Sequence, residues 1–206
     1  MPEFDLALTL RAAASGDPAA WRGLVGSYER RVYGLLLRQC GDRELAEELT
    51  QDTFVKLVDK LQDFAGYDER GRFEPWLFRI AMNKLRDEMR RRRRQASPTD
   101  MSPGAARQDE GGGTWASQQA RLARDSRPGS FGENPTAVAI RGEQVDRLLE
   151  AIASLPEADR QLLELRHTAG LSFAQIAETL DQPLGTVLAR GHRAIGKLRK
   201  VMEEDD

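Results

Sequence analysis

The chain has 206 residues and a formal net charge of −2, from 31 basic and 33 acidic side chains. This length suits one medium domain or two small ones, and an aromatic fraction of 6% predicts mostly aliphatic cores. No run approaches the roughly 18 apolar residues of a membrane span, and the N-terminus lacks a basic-then-apolar signal pattern, so we expect a cytoplasmic protein. The single cysteine, Cys40, excludes an internal disulfide and a cysteine-rich zinc site.

Apolar residues recur at helical spacing almost continuously to about residue 95. Gly-Asp-Pro at 16–18 predicts a break, with Asp17 as the cap of the next helix, and Gly-Asp-Arg at 41–43 predicts a turn in which Asp42 caps another. The predicted elements in chain order are a short helix from Leu6, a helix to Cys40, a helix over 43–62, a loop over 64–73 and a helix from Pro75 to the arginines at 90–94.

Residues 95–135 are rich in Ser, Pro, Gly and Gln and have almost no aliphatic periodicity, which predicts a flexible linker. Helical patterns then resume at about 136–153, 156–168, 172–180 and 184–202, and no stretch is rich in β-formers. The sequence therefore predicts an all-α fold of two small helical domains, 1–95 and 136–206, joined by a flexible linker at 96–135.

The pattern over 172–202 is typical of a helix-turn-helix, which places its second helix in the major groove of DNA. Ser172 and Gln175 form a capping box, and Ala177 is small enough for two helices to cross closely. The second helix is expected to bury Val187, Ala194 and Leu198. On its opposite side four residues follow one another at spacings of 4, 3 and 4, in one stripe: Thr186, Arg190, Arg193 and Lys197. An ordinary amphipathic helix pair is the alternative.

A second basic helix is predicted over 75–94. Its buried side is expected to hold Trp76, Leu77, Ile80, Ala81, Leu85 and Met89. The other side carries Arg79, Asn83, Arg86 and Arg90, whose side chains suit base edges and phosphates. Tyr67 and Phe73 in the preceding loop could stack on unpaired bases. The alternative is a solvated basic helix with a core tryptophan.

Positive charge is local: Arg90 to Arg94 are consecutive arginines, and Arg190 to Lys200 contain no acidic residue. Phosphate affinity depends on such patches and not on the overall sum. The weak global charge suggests poor DNA binding by the isolated chain, so that a larger partner has to supply the rest.

Three segments together resemble the sigma-70 family of bacterial transcription initiation factors, in its extracytoplasmic-function subgroup. They are AEELTQDTF at 46–54, FEPWLFRIAMNKLRDEMR at 73–90 and LPEADRQLLELRH with the helix-turn-helix at 155–193. The resemblance implies polymerase contacts by Glu48, Leu49, Gln51, Asp52 and Phe54. It implies −10 contacts by Trp76 and Asp87. The other implied −10 contacts are made by the residues named for the 75–94 helix and its preceding loop: Tyr67, Phe73, Arg79, Asn83, Arg86 and Arg90. It implies −35 contacts by Thr186, Ala189, Arg190, Arg193 and Lys197. The recognition helix departs from the family pattern at Leu188, Ala189 and Gly191, where Lys, Ser and Leu are usual.

The resemblance further implies a dissociable polymerase subunit that opens promoter DNA, with core RNA polymerase, promoter DNA and an anti-sigma factor as partners. No enzyme activity, cofactor or metal is expected, since no nucleophile–base pair is visible and His167 and His192 are not spaced as ligands. A stand-alone helix-turn-helix regulator is the main alternative, and an RNA-binding or hydrolytic protein is a third. The polar face over 46–54 discriminates, because a plain repressor has no need of it.

Overall fold

The computed structural model describes residues 5–61, 72–95 and 135–203, and within them all regular structure is helical. The all-α prediction is confirmed. The helices are α1 (Leu6–Ala14), α2 (Pro18–Cys40), α3 (Arg43–Leu61), α4 (Phe73–Gln95), α5 (Pro135–Ala153), α6 (Glu157–His167), α7 (Phe173–Leu180) and α8 (Leu184–Glu203).

The boundaries of α2 and α3 follow from the predicted capping residues. The Asp17 carboxylate accepts from the Ala19 N–H at 2.8 Å, and Pro18 occupies the first helical position, where its missing N–H costs nothing. Helix α2 ends at Gly41, whose φ of 69° is left-handed and whose N–H donates to Leu37 O at 2.8 Å. Asp42 then caps α3 by accepting from the Leu45 N–H at 3.1 Å.

Packing divides the chain into two compact units, which differ from the domains predicted along the sequence. The first unit comprises Met1–Pro98 together with Glu164–Val187, and the second comprises Thr99–Leu163 together with Leu188–Asp206. The first part of the helix-turn-helix therefore packs with the N-terminal helices. The sequence domains 1–95, 96–135 and 136–206 stay a prediction.

The core of the first unit is built from one face of each long helix. Its largest fully buried side chains are Phe78, Leu24, Leu35, Leu36, Leu57, Leu77, Leu165, Leu171, Ile176 and Val32. Met89, expected in this core, is 39% exposed, and Val58 of α3 is 45% exposed. Val58 lies on the outer face of α3. Every side chain from Met89 to Gln95 is exposed. The last turns of α4 therefore extend beyond the core.

The second unit has a smaller aliphatic core. Its buried side chains are Leu149, Ala151, Leu155, Leu162, Leu163 and Ala194. The Arg160 guanidinium donates from one nitrogen to Ala153 O at 3.0 Å and to Leu155 O at 2.9 Å, which satisfies carbonyls at the end of α5. In α8, Val187 and Ala194 are buried as predicted, whereas Leu198 is half-buried.

Candidate nucleic-acid interface

The basic and amide side chains predicted on one side of α4 do share an exposed face. Arg79, Asn83, Arg86 and Arg90, called the α4 stripe from here on, are all exposed, and so is the neighbouring Asp87. Arg86 donates to Asn83 Oδ1 at 3.1 Å, which orients the amide. The opposite side of α4 is core, with Leu77, Phe78, Ala81, Met82 and Leu85 buried. The stripe is therefore held on a rigid helix.

The aromatic residues next to the α4 stripe are less available than predicted. Phe73 is the first residue of α4 and not part of a loop, and only 4% of it is exposed. Its ring packs edge-on against Tyr28 at 5.3 Å and lies 6.1 Å from the half-buried Trp76. With so little of its surface exposed, Phe73 is not available to stack on a base in this structure. Tyr67 lies outside the described residues.

The arginine run at the end of α4 is divided by its ion pairs. Glu88 accepts from Arg91 at 2.6 and 3.0 Å and from Arg92 at 3.0 Å. Arg92 also donates to Asp42 at 3.1 Å, which joins α4 to the cap of α3. The hydrogen bonds from Arg91 and Arg92 lower the pKa of Glu88, and they raise the pKa of both arginines. The pKa of Asp42 is lowered, first by the Leu45 N–H and then by Arg92.

Helix α3 exposes the polar part of its predicted docking face. Glu48, Gln51 and Asp52 are exposed, and Asp52 pairs with Lys84 of α4 at 2.9 Å. Leu49 is only 5% exposed, so the predicted direct contact by this residue is wrong for this structure. Its position on the inner side of α3 makes it part of the core beneath the face. Phe54 is half-buried.

An open cleft of about 430 Å³ adjoins this face between α2 and α3. Helix α3 contributes Glu47, Thr50 and Gln51, and α2 contributes three residues that the sequence did not single out: Glu29, Arg30 and Tyr33. Polar side chains at spacings of 1 and 3 on α2 were the available signal, but only the packing of α2 on α3 places them beside Gln51. The cleft thus joins the predicted docking face of α3 to a second helix.

The helix-turn-helix begins with the predicted capping box. Ser172 Oγ accepts from the Gln175 N–H at 3.2 Å, and the Gln175 side chain accepts from the Ser172 N–H at 2.8 Å. Helix α7 ends at Asp181, which adopts a left-handed φ of 54°. Ala177 is buried, as expected of a helix-crossing residue.

Polar contacts hold the first half of the helix-turn-helix against α2 and α4 within the first unit. Arg31 pairs with Glu74 at 2.6 Å, and its guanidinium also donates to the Ala169 carbonyl. The second oxygen of Glu74 accepts from Gln175 at 2.9 Å, so the capping box is joined through Glu74 to α2. Thr179 Oγ1 lies 3.4 Å from Pro75 O. Sequence reasoning did not identify Arg31 or Glu74, because 43 residues separate the two partners of this pair.

Helix α8 carries the predicted groove-contacting stripe. Thr186, Ala189, Arg193 and Lys197 are exposed, and Arg190 is half-buried. Arg193 Nε donates to Ala189 O at 3.3 Å. Leu188 is also exposed, at 38%, and Gly191 is buried. The α8 stripe therefore has the exposure that groove contact needs.

Other kinds of site were sought in the same residues. No group of three or more His, Cys, Asp or Glu in the described ranges could hold a metal ion. Among those helices none is both long and apolar enough to cross a membrane. The candidate surfaces of the described residues are the polar face of α3 and the basic faces of α4 and α8.

Comparison with known proteins gives two matches in the order of the candidate surfaces. The model of sigma-70 region 2 matches residues 24–95, which include α3 and α4. The model of sigma-70, region 4 matches residues 146–198, which include α7 and most of α8.

Curated relatives and solved structures agree with these models. The chain is 34% identical over 192 residues to the ECF RNA polymerase sigma factor SigE of Mycolicibacterium smegmatis, covering 90% of this chain and 64% of that relative. It is 30% identical over 188 residues to the RNA polymerase sigma-H factor of Pseudomonas aeruginosa, covering 91% and 89%. CnrH, solved in complex with the cytosolic domain of CnrY, has the same fold, with a TM-score of 0.58, 22% identity and 97% of each chain covered.

The sigma factor RpoE of Bartonella quintana, solved with the anti-sigma factor NepR, also has a TM-score of 0.58, with 20% identity over 90% of this chain and 98% of that one. These structural likenesses support the fold. The family follows from the two models and from the identity to the Pseudomonas factor over most of its length. The chain therefore belongs to the sigma-70 family of RNA polymerase sigma factors, in the ECF group, whose members are transcription initiation factors and not enzymes.

Proposed function

We propose that this chain acts as an alternative sigma factor that binds core RNA polymerase, recognises −35 and −10 promoter elements and promotes DNA opening. Residues 1–95 would serve for docking and for the −10 element, and residues 136–206 for the −35 element, with 96–135 as the linker. The observation that carries the proposal is the pair of exposed faces in the first unit. One is acidic and polar on α3, the other is the α4 stripe, and a shared core fixes both helices.

Docking is assigned to the exposed Glu48, Gln51 and Asp52. Leu49 supports them from the core, and Phe54 lies half-buried in the same helix. Carboxylates and an amide on one face suit a partner with basic and hydrogen-bonding side chains, because complementary charge favours both encounter and orientation.

Recognition of the −10 element is assigned to the α4 stripe, with Asp87 beside it and Trp76 at its N-terminal end. Asn and Arg hydrogen-bond base edges, and arginines also bind phosphate. Opening DNA requires no covalent chemistry, because binding an extruded base can offset the cost of unstacking it. Tyr67 belongs to the segment before α4 that we assign to this step, whereas Phe73 positions Trp76 from the core.

Recognition of the −35 element is assigned to Thr186, Ala189, Arg190, Arg193 and Lys197 of α8. Leu188 is exposed beside this stripe and adds an apolar contact of the kind that thymine methyl groups accept. We further propose a bacterial cytoplasmic location, where core polymerase is found, and regulation by an anti-sigma factor. The structurally similar sigma factor RpoE, solved in complex with the anti-sigma factor NepR, supports such a partner.

Gel filtration of the purified chain with sigma-free core RNA polymerase tests the proposal. We expect co-elution at an equimolar ratio. The double variant Gln51→Ala/Asp52→Arg should lose co-elution with unchanged helicity, since it removes an amide and reverses a charge on the docking face. Glu150→Arg in α5 changes an exposed carboxylate in the same way outside this face and serves as the control.

Absence of co-elution by the folded wild-type chain would favour a stand-alone DNA-binding regulator. Retained co-elution by the double variant would remove the docking role from α3. An anti-sigma protein, once identified, should compete with core polymerase for the chain in the same assay.

A further inference from the structure

The five consecutive arginines at the end of α4 are chemically identical but have different surroundings. Arg91 and Arg92 bind Glu88, and Arg92 also binds Asp42, as described above. Within the described residues no ion pair is found for Arg90, Arg93 or Arg94, and all three are exposed. The run therefore contains two arginines that form ion pairs and three for which the described residues hold no ion-pair partner.

Helix geometry places the solvent-facing arginines on the α4 stripe. At about 100° per residue, Arg93 and Arg94 fall within the same arc of roughly 100° as Arg79, Asn83, Arg86 and Arg90. Arg91 and Arg92 fall outside this arc, on either side of Glu88, because residues three and four positions apart are neighbours on a helix. The spacing from Glu88 thus determines which arginines lie outside the arc of the stripe.

We propose that Arg93 and Arg94 extend the α4 stripe and bind phosphates of duplex DNA adjoining the −10 element. This inference rests on the proposed function, since it takes the stripe to face DNA. From Arg79 to Arg94 the stripe is ~22 Å long at 1.5 Å per residue. Measured along the duplex axis, that length corresponds to roughly six base pairs at 3.4 Å each. Guanidinium groups with no ion pair among the described residues suit phosphate, which they bind through paired N–H donors.

The exposure of the helix end supports this assignment over a structural role. Every side chain from Met89 to Gln95 is exposed, so the last turns of α4 carry arginines without a core of their own. Four or more like charges in succession repel one another, and Glu88 compensates only the two within its reach. The charge that remains lies on the side of the helix assigned to DNA.

The test is the salt dependence of DNA binding by the full chain, since phosphate contacts need no promoter sequence. The probe is a fluorescein-labelled 40-base-pair duplex of arbitrary sequence, followed by anisotropy between 20 and 200 mM KCl. Arg93→Ala/Arg94→Ala should lower the slope of log Kd against log salt by about 1.8, because each phosphate contact contributes about 0.9. Between 50 and 200 mM this variant should lose ~12-fold less affinity than the wild type.

The matched control is Arg91→Ala/Arg92→Ala, which removes the same charge from the same run. It should leave the slope unchanged, and thermal unfolding by circular dichroism reports any loss of the Glu88 and Asp42 contacts. Equal slope changes in both double variants would overturn the proposal in favour of undifferentiated charge. An unchanged slope in Arg93→Ala/Arg94→Ala would overturn it as well. If the isolated wild type does not bind at 20 mM KCl, the same slopes are compared for the chain bound to core RNA polymerase.

Co-elution with core polymerase separates this proposal from the function on which it rests. Arg93→Ala/Arg94→Ala should co-elute as the wild type does. If it does so and the slope is unchanged, only the extension of the stripe fails. If the wild type does not co-elute, the sigma-factor assignment fails whatever the duplex shows.

Discussion

Arg31 and Glu74 form a 2.6 Å ion pair that also connects to the helix-turn-helix, through the Ala169 carbonyl on one side and Gln175 on the other. Their side chains are 30% and 21% exposed, so the pair lies between surface and core. The Arg31 guanidinium lies 5.1 Å from the Tyr28 ring centroid and 5.3 Å from that of Phe78. Three segments of the first unit, α2, α4 and the turn after α6, therefore meet at Arg31.

Replacing Arg31 by Met should destabilise the first unit by about 1–3 kcal/mol, because the partly buried Glu74 and the Ala169 carbonyl lose a charged donor. Urea unfolding measures the effect. Arg22→Met, at an exposed position of the same helix, should change the free energy of unfolding by less than about 0.5 kcal/mol. A double-mutant cycle with Glu74→Gln should show non-additivity, and strict additivity would mean that the pair contributes no coupling.

Two glycines of α2 should respond in opposite directions to alanine. A Cβ on Gly26 meets nothing within 4 Å, so Gly26→Ala should stabilise the protein by about 0.5–1 kcal/mol through helix propensity. A Cβ on Gly34 would lie 3.3 Å from Thr168 Cγ2, and we expect Gly34→Ala to gain less or to destabilise. Thermal unfolding of both variants decides this. A larger gain at Gly34 would show that Thr168 moves aside freely.

The cap of α3 should make stability depend on acid pH. The Leu45 N–H and Arg92 hold the pKa of Asp42 below its ordinary value of 3.8, so the folded state favours the carboxylate. The resulting stabilisation is complete above the unfolded pKa and is lost as pH falls through the folded pKa. Asn is also a good cap, so Asp42→Asn removes the charge alone.

We therefore expect the difference in unfolding free energy between wild type and Asp42→Asn to be largest near pH 7 and to disappear at strongly acid pH. Chemical denaturation at a series of pH values measures it. A difference that stays constant below pH 3.8 would contradict the shifted carboxyl.

Cys40 should react slowly with thiol reagents in the folded protein. Burial raises the pKa of its thiol above 9.0, which lowers the thiolate fraction at neutral pH, and the thiolate is the reactive form. Its Sγ also lies 3.3 Å from Asp42 O, as a weak donor. Ellman's reagent at pH 8 should react much faster in urea than in buffer. Equal rates would show that the end of α2 opens readily.

Local signals in the sequence were sufficient for most of the fold. Asp17, Asp42 and Ser172 act as caps because capping depends on neighbours within three residues. Periodicity predicted the faces of the α4 stripe and the α8 stripe, because residues three and four positions apart lie on the same side of a helix. The family resemblance and the comparisons agree on the type of protein.

The errors concern residues whose surroundings come from distant parts of the chain. Phe73 was predicted to be available for a base, but Tyr28 and Trp76 cover its ring. Leu49 lies on the buried side of α3 together with Ala46, Thr50 and Thr53, facing residues of other helices. Arg31 and Glu74 could not be paired from the sequence, since 43 residues separate them.

The division of the arginine run has a consequence for how this helix can change. Glu88 forms ion pairs with the residues three and four positions after it. If one arginine of the run were deleted, these two positions would still hold arginines. The missing charge would come from the far end, at Arg94. The length of the run can therefore vary while the Arg92–Asp42 pair to the cap of α3 is kept. The number of arginines that can contact the nucleic-acid backbone would then change one residue at a time.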